Sequence, residues 1–214
     1  AAEMSQRAPI GPTYLSVSTE TLMEEWNPPE NPREVPPAPK LHSAPEDVQK
    51  LAGMIAKAKN PVVLTEAGGR DPAGFDAMVR LSELAALPVV ENPGALFAKF
   101  PKEQPMHQGS NFAPFWDTSD LVIVVSARAP WYPPSDCPPN ADIVVIDETP
   151  HRPFMVYQSL QANMYLEGDI ARTLSDVANA VEAAGMDSAV VDARRARLIE
   201  SHDAIQEENS AIQA

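Results

Sequence analysis

From residue 43 onward the chain alternates between two kinds of apolar pattern. Short continuous runs, "PVVLTE" (61–66), "LPVVEN" (87–92), "DLVIVVS" (120–126) and "ADIVVIDE" (141–148), predict strands covered on both faces, as in a parallel sheet. "ANMYLEG" (162–168) predicts a weaker fifth. Between them, apolar residues recur at three- and four-residue spacing. Val48, Leu51, Ala52 and Ile55 predict one helix, entered through Ser43 and Glu46 at capping-box spacing with Pro45 in the first turn, and left through Lys57 and Lys59. Asp71-Pro72 predicts an N-cap and first turn for a second, with Phe75, Met78, Leu81, Leu84 and Ala85 on its apolar face. Asp169 caps a third, carrying Ile170, Leu174, Val177 and Val181 and stopping at Gly185. This alternation predicts an α/β fold with a doubly wound, mostly parallel, Rossmann-like sheet.

The flanks read differently. Residues 12–18, "PTYLSVS", alternate Tyr14, Ser16 and Ser18 against Thr13, Leu15 and Val17, the period of a half-buried strand. The tract 28–45 is proline-rich; proline fixes φ and donates no hydrogen bond, so an extended connector is expected. The tail from Asp187 is highly charged, with Val191, Leu198, Ile205 and Ile212 spaced by seven. One apolar residue per heptad is too narrow for a coiled coil, so a helix leaning on another surface, or a partly frayed end, is expected. The predicted organisation is 1–27 as the end of a preceding domain, 28–45 as linker, 46–186 as a central α/β domain and 187–214 as a C-terminal helical linker.

Composition narrows the function. The 214 residues are 44% hydrophobic, enough for a core, but no run of 18 apolar residues exists to span a membrane. The opening residues lack the basic head and apolar stretch of a signal peptide. With 16 basic against 30 acidic residues the net charge is −14, which repels nucleic acid. One cysteine, Cys137, permits no internal disulfide and suits a reducing cytoplasm. A start on Ala1 and an uncapped helical ending are expected of an excerpt from a longer protein.

Candidate chemistry lies at the carboxyl ends of the strands, where doubly wound sheets hold ligands. There stand Glu66 with Gly68 and Gly69, Glu91 with Asn92, Ser126 with Arg128, Asp147 with Glu148, and Glu167 with Asp169. The Gly68-Gly69 turn could admit a phosphate to backbone N–H groups, and Asp147 could take ribose hydroxyls. Yet "AGGRDP" is neither GxGxxG nor GxxxxGK[ST], and the rim is rich in carboxylates opposed only by Arg70 and Arg128. A purely architectural corner, with Asp71 as a helix cap, is the competing reading. His42, His107, His151 and His202 show no metal-binding spacing, Cys137 lies in a proline-bounded loop without a base, and no GxSxG elbow is present. The aromatic–proline stretches around Phe112, Phe115, Trp116 and "WYPPSDCPP" either pack locally or form docking surface.

The order of these segments resembles the central domain of thiamine-diphosphate-dependent enzymes, in the acetolactate-synthase-like and benzoylformate-decarboxylase-like branch. "GPTYLSVSTETL" (11–22) is similar to the closing strand of that family's preceding pyrimidine-binding domain. "APEDVQKLAGMIAKAKNPVVLTEAGG" (44–69), "LSELAALPVVEN" (81–92), "HQG" (107–109), "SDLVIVVSAR" (119–128), "ADIVVIDETP" (141–150) and "YLEGDIARTLSDV" (165–177) follow in the family's order. The resemblance implies an intact 2-keto acid decarboxylase or carboligase, a lyase or transferase using thiamine diphosphate and Mg²⁺. It also implies that the activating glutamate and the GDG…N signature lie in neighbouring domains, since Gly168-Asp169 is followed by Ile170. This chain would then be a non-catalytic spacer, partnered by other domains of the same enzyme and by further copies in a dimer or tetramer. Some family members hold FAD or ADP in this domain, at positions that map to Gly68, Gly69, Arg128 and Asp147. Ser126-Ala127 in place of Gly-x, and Glu66 in place of a small neutral residue, depart from that pattern. A free-standing FAD-, NAD- or ADP-binding module and an interaction scaffold are the alternatives.

Overall fold

A computed structural model describes residues 1–8, 10–32, 34–93, 97–133, 135–151 and 162–213. The chain divides into two units, Ala1–Leu41 and His42–Ala214. The first unit holds two short helices, α1 (Ala2–Gln6) and α2 (Thr19–Met23), neither with a buried residue. The strand expected over 12–18 does not form. Ser18 instead caps α2, its Oγ accepting from the Thr21 N–H at 3.3 Å, and Tyr14 and Leu15 stand 93% and 72% exposed. The alternation is present, but among the described residues no strand pairs with it to complete the hydrogen-bond ladder, and an unpaired strand has nothing to hold it.

The second unit follows the apolar pattern closely. α3 (Pro45–Lys57) leads into β1 (Pro61–Thr65), α4 (Pro72–Ala85), β2 (Val89–Glu91), α5 (Ala113–Trp116), β3 (Leu121–Val125), β4 (Asp142–Asp147), β5 (Met164–Glu167), α6 (Ile170–Ala184) and α7 (Ser188–Gln213). The five strands are all parallel, in the order β2-β1-β3-β4-β5. That order reverses between β1 and β3, as in a doubly wound sheet.

Each central strand buries both faces because two apolar layers sandwich it. Val63, Ile123, Val125, Val144 and Ile146 pack with Leu51, Ile55, Met78, Leu81, Leu174 and Val177 of α3, α4 and α6. The opposite face, through Val62, Leu64, Val122, Val124 and Val145, is covered by Trp131 and Ala127, with half-buried Phe112, Phe115 and Trp116 against them. Trp116 meets Trp131 edge-on, ring centroids 6.1 Å apart. Along this stretch the aromatic–proline residues therefore pack locally, although Tyr132 stays exposed.

Helix ends show which short-range signals prevail. Asp71 caps α4, its Oδ1 accepting from Ala73 N–H at 3.0 Å, and Asp169 caps α6 through Arg172 N–H at 2.9 Å. The capping box expected at Ser43 and Glu46 is not made. The N-cap of α3 is Ala44, and the Ser43 hydroxyl donates instead to the Glu167 carbonyl at 3.2 Å and bonds Thr173 Oγ1 at 3.0 Å. A long-range partner outcompeted the local one.

The tail is one helix that leans on the domain. Val191 and Leu198 are buried, but so are the polar Arg194 and His202. Arg194 donates to the carbonyls of Ala85 (2.7 Å) and Ala58 (2.9 Å), at the C-terminal ends of α4 and α3. Gln108 donates to the Leu198 carbonyl (3.0 Å), and His202 Nδ1 to the His107 carbonyl (2.8 Å). The Ile212 side chain lies outside the described residues.

Candidate functional site

The carboxyl edge of the sheet gathers the sequence candidates onto three adjacent strands. Gly68 and Gly69 follow β1, Arg128 follows β3, and Asp147 ends β4. Their surroundings decide what each can do.

The glycine corner is shaped by close contact. A Cβ on Gly68 would lie 2.7 Å from Thr65 Oγ1 and 3.0 Å from Val125 Cγ1. One on Gly69 would lie 2.2 Å from the carbonyl oxygen of Ala98. The chain's own backbone thus occupies the approach to Gly69. Two donors of the turn are engaged internally, Gly68 N–H on Thr65 Oγ1 (3.2 Å) and Arg70 N–H on the Ala67 carbonyl (3.0 Å). At the start of α4, where a helix attracts anions, the Asp71 carboxylate already sits as the cap.

Arg128 is held by Glu66. Glu66 is 5% exposed, and its carboxylate accepts the Arg128 backbone N–H (2.8 Å), Nε (2.8 Å) and Nη2 (2.5 Å). The arginine side chain itself is 60% exposed. Ser126, two residues before it, has φ +46°, the left-handed region that glycine enters without strain. Its carbonyl accepts from Ala67 N–H (3.1 Å) and its N–H donates to the Ile146 carbonyl (3.0 Å), so the strained corner is pinned between β1 and β4.

Asp147 is buried, and its Oδ1 accepts from the Thr149 N–H at 2.8 Å. Beside it, the Glu148 carboxyl is pushed above its ordinary value, by burial first and then by the charges of Asp169 and Asp147, with Arg70 opposing. Arg70 reaches Glu148 at 3.4 Å. Negative potential accumulates here, which disfavours an anionic ligand.

A second cluster, not legible in the sequence, surrounds Glu91 at the end of β2. The segment around His107 runs beside β2 as an extra parallel edge: Val89 N–H donates to the Met106 carbonyl, and Gln108 N–H to the Val89 carbonyl, both at 2.8 Å. His107 Nε2 thereby comes within 3.6 Å of Glu91 Oε1, and Lys99 Nζ within 4.0 Å of Glu91 Oε2. Burial works to raise the Glu91 carboxyl, but His107, Lys99 and Lys102 together outweigh it and hold it low. A depressed carboxylate stabilises the fold above its unfolded value, near 4.5, and loses that contribution as pH falls through the lower folded value. Glu91→Gln should therefore flatten the loss of melting temperature between about pH 5 and pH 3 relative to wild type. An unchanged acid limb would show that the cluster contributes nothing. Among the described residues, no group of three or more His, Cys, Asp or Glu side chains could hold a metal ion, and no helix is long and apolar enough to cross a membrane.

Residues 48–177, more than half of the chain, match the family described as "Thiamine pyrophosphate enzyme, central domain". Among solved structures, the chain is similar to one described as a candidate thiamin diphosphate-dependent enzyme from Mycobacterium smegmatis (24% identity, TM-score 0.68), covering 84% of this chain and 35% of that one. Benzoylformate decarboxylase from Polynucleobacter necessarius aligns at 19% identity and TM-score 0.69, covering 84% and 34%. The 4-hydroxybenzoylformate decarboxylase of Rhodococcus jostii RHA1 aligns at 21% and 0.54, covering 70% and 29%. At these identities the likeness is one of fold. The chain spans about a third of the length of these proteins.

Proposed function

The chain belongs to the thiamine pyrophosphate enzyme central-domain family, and we propose from that premise that it is a non-catalytic spacer within a larger 2-keto acid decarboxylase or carboligase of the acetolactate-synthase-like group. Thiamine diphosphate is the cofactor the family implies. When bound it supplies a carbanion-stabilising ylid, and the protein around it supplies position and electrostatics. The residues present here do not fit it. A diphosphate needs free donors and a cation, whereas among the described residues Arg128 is engaged by a buried carboxylate, Asp71 occupies the start of α4, and Asp147, Glu148 and Asp169 cluster beside them.

The observation that carries this reading is the filled carboxyl edge, where the chain's own groups stand at the places a ligand would take. The same filling argues against a free-standing nucleotide module. The first unit supports a role in assembly. Tyr14, Met23 and Trp26 are 93%, 81% and 75% exposed, which suits a segment that packs into a neighbouring domain. In this reading 1–27 closes the preceding domain, 28–45 and 187–214 link domains, and the assembled enzyme is a cytoplasmic dimer or tetramer with Mg²⁺ held elsewhere. Calorimetric titration of thiamine diphosphate with Mg²⁺ into the isolated chain tests the proposal. No heat of binding is expected; tight, Mg²⁺-dependent binding would overturn it.

A further inference from the structure

In a doubly wound sheet the crevice that accepts ligands opens where the strand order reverses, here between β1 and β3. Glu66 and Arg128 stand on the two sides of that crevice, 62 residues apart in the chain. One backbone N–H and the two guanidinium N–H groups converge on the carboxylate, the first on Oε2 and the other two on Oε1. A backbone amide combined with an arginine fork is the donor set that holds a free oxyanion. The occupying carboxylate is buried, while the arginine that grips it is largely exposed and reachable from solvent.

We propose that Glu66 fills, with its own carboxylate, a small-oxyanion site formed by the backbone and side chain of Arg128 at the β1/β3 crevice, and that removing this carboxylate opens the site to a free carboxylate or phosphate. The site takes one anionic group. Among the described residues, the Ala98 carbonyl closes the approach to Gly69 and Asp71 occupies the start of α4, which disfavours a second phosphate or a dinucleotide. The wild-type chain is self-occupied and takes no anion there. This goes beyond the spacer role and does not depend on it, because the readout is the stability of the chain itself.

The test is thermal unfolding of wild type, Glu66→Ala and Glu66→Ala/Arg128→Ala in chloride buffer with added acetate, phosphate or ADP. Wild type supplies the correction for general salt effects, since phosphate stabilises any fold by exclusion. Glu66→Ala should melt several degrees below wild type and regain most of that loss, saturably, in low-millimolar acetate or phosphate, as binding to the folded state requires. The double variant should need at least tenfold more anion for the same recovery. ADP should act no more tightly than phosphate. A Glu66→Ala response no larger than that of wild type overturns the proposal, as does an equal response in the double variant. ADP binding tenfold tighter than phosphate overturns the single-group limit. Should Glu66→Ala fold only in acetate or phosphate, the proposal stands; should it fold in neither, the proposal fails.

Discussion

Replacing Arg194 with alanine should destabilise the domain by about 3 kcal/mol, read as a lower midpoint in chemical denaturation. Arg194 is 3% exposed, and its guanidinium donates to the carbonyl of Ala85, the last residue of α4, and to that of Ala58, which caps α3. Both carbonyls lie at helix C-termini, where backbone dipoles concentrate negative charge and the last acceptors lack partners within the helix. Two charge-assisted bonds at about 1.5 kcal/mol or more each give the estimate, and the deletion also leaves two acceptors short of a partner. Burial first, then the neighbouring Arg197, make the guanidinium less basic than usual, with Asp120 opposing. The effect should fall mainly on α7: its amides should exchange with deuterium much faster while β1 and β3 stay protected. A loss below about 1 kcal/mol would mean that α7 docks mainly through Val191, Leu198 and the Gln108 and His202 hydrogen bonds, with little from Arg194.

The second large effect is expected at Gly69. Gly69→Ala should cost about 2–3 kcal/mol, because the new methyl would sit 2.2 Å from the Ala98 carbonyl oxygen and 2.9 Å from Phe75 Cδ2. Backbone lies on one side of that contact, so relief requires moving either the turn after β1 or the loop at Ala98. Gly53 is the internal control. It lies inside α3, where an added methyl would meet nothing within 4 Å, and Gly53→Ala should stabilise by about 0.5–1 kcal/mol through helix propensity. The same substitution thus carries opposite signs at two glycines. Thermal melts of the two variants decide the matter. If Gly69→Ala were as benign as Gly53→Ala, the corner would be looser than its geometry, and its closure to phosphate would fall with it.

The glycine pair illustrates how much of the site could be read in advance. "AGGR" after an apolar strand announces a tight turn, and Asp71-Pro72 announces the helix that follows; both signals act within a few residues. What presses on Gly69 is Ala98, which the chain brings back only after passing through α4 and β2. Glu66 is conspicuous in sequence as a carboxylate ending an apolar run, but its partner Arg128 is 62 residues away, and the pairing depends on β1 lying beside β3. The cluster of Glu91, His107 and Lys99 was hidden for a similar reason: it depends on the Met106–Gly109 segment adding itself to the edge of β2. Nothing in the spacing of those residues signals that addition.

By itself the sequence determined the strands, the main helices and their order. Continuous apolar runs such as Leu121–Val125 can be satisfied only between two covering layers, and helical spacing supplies one of those layers whatever the loops do. Tertiary structure decided which polar signals were honoured. Asp71 caps its helix because its acceptor finds an N–H two residues on, whereas Ser43 turns to Glu167, 124 residues away. Residues 12–18 carry a strand's alternation without becoming one, and Arg194, in a highly charged tail, is buried. Asp71 finds its partner locally; in the other cases the outcome rests on a hydrogen-bonding partner that the residue's own neighbourhood does not contain, and a fold in three dimensions either provides it or does not.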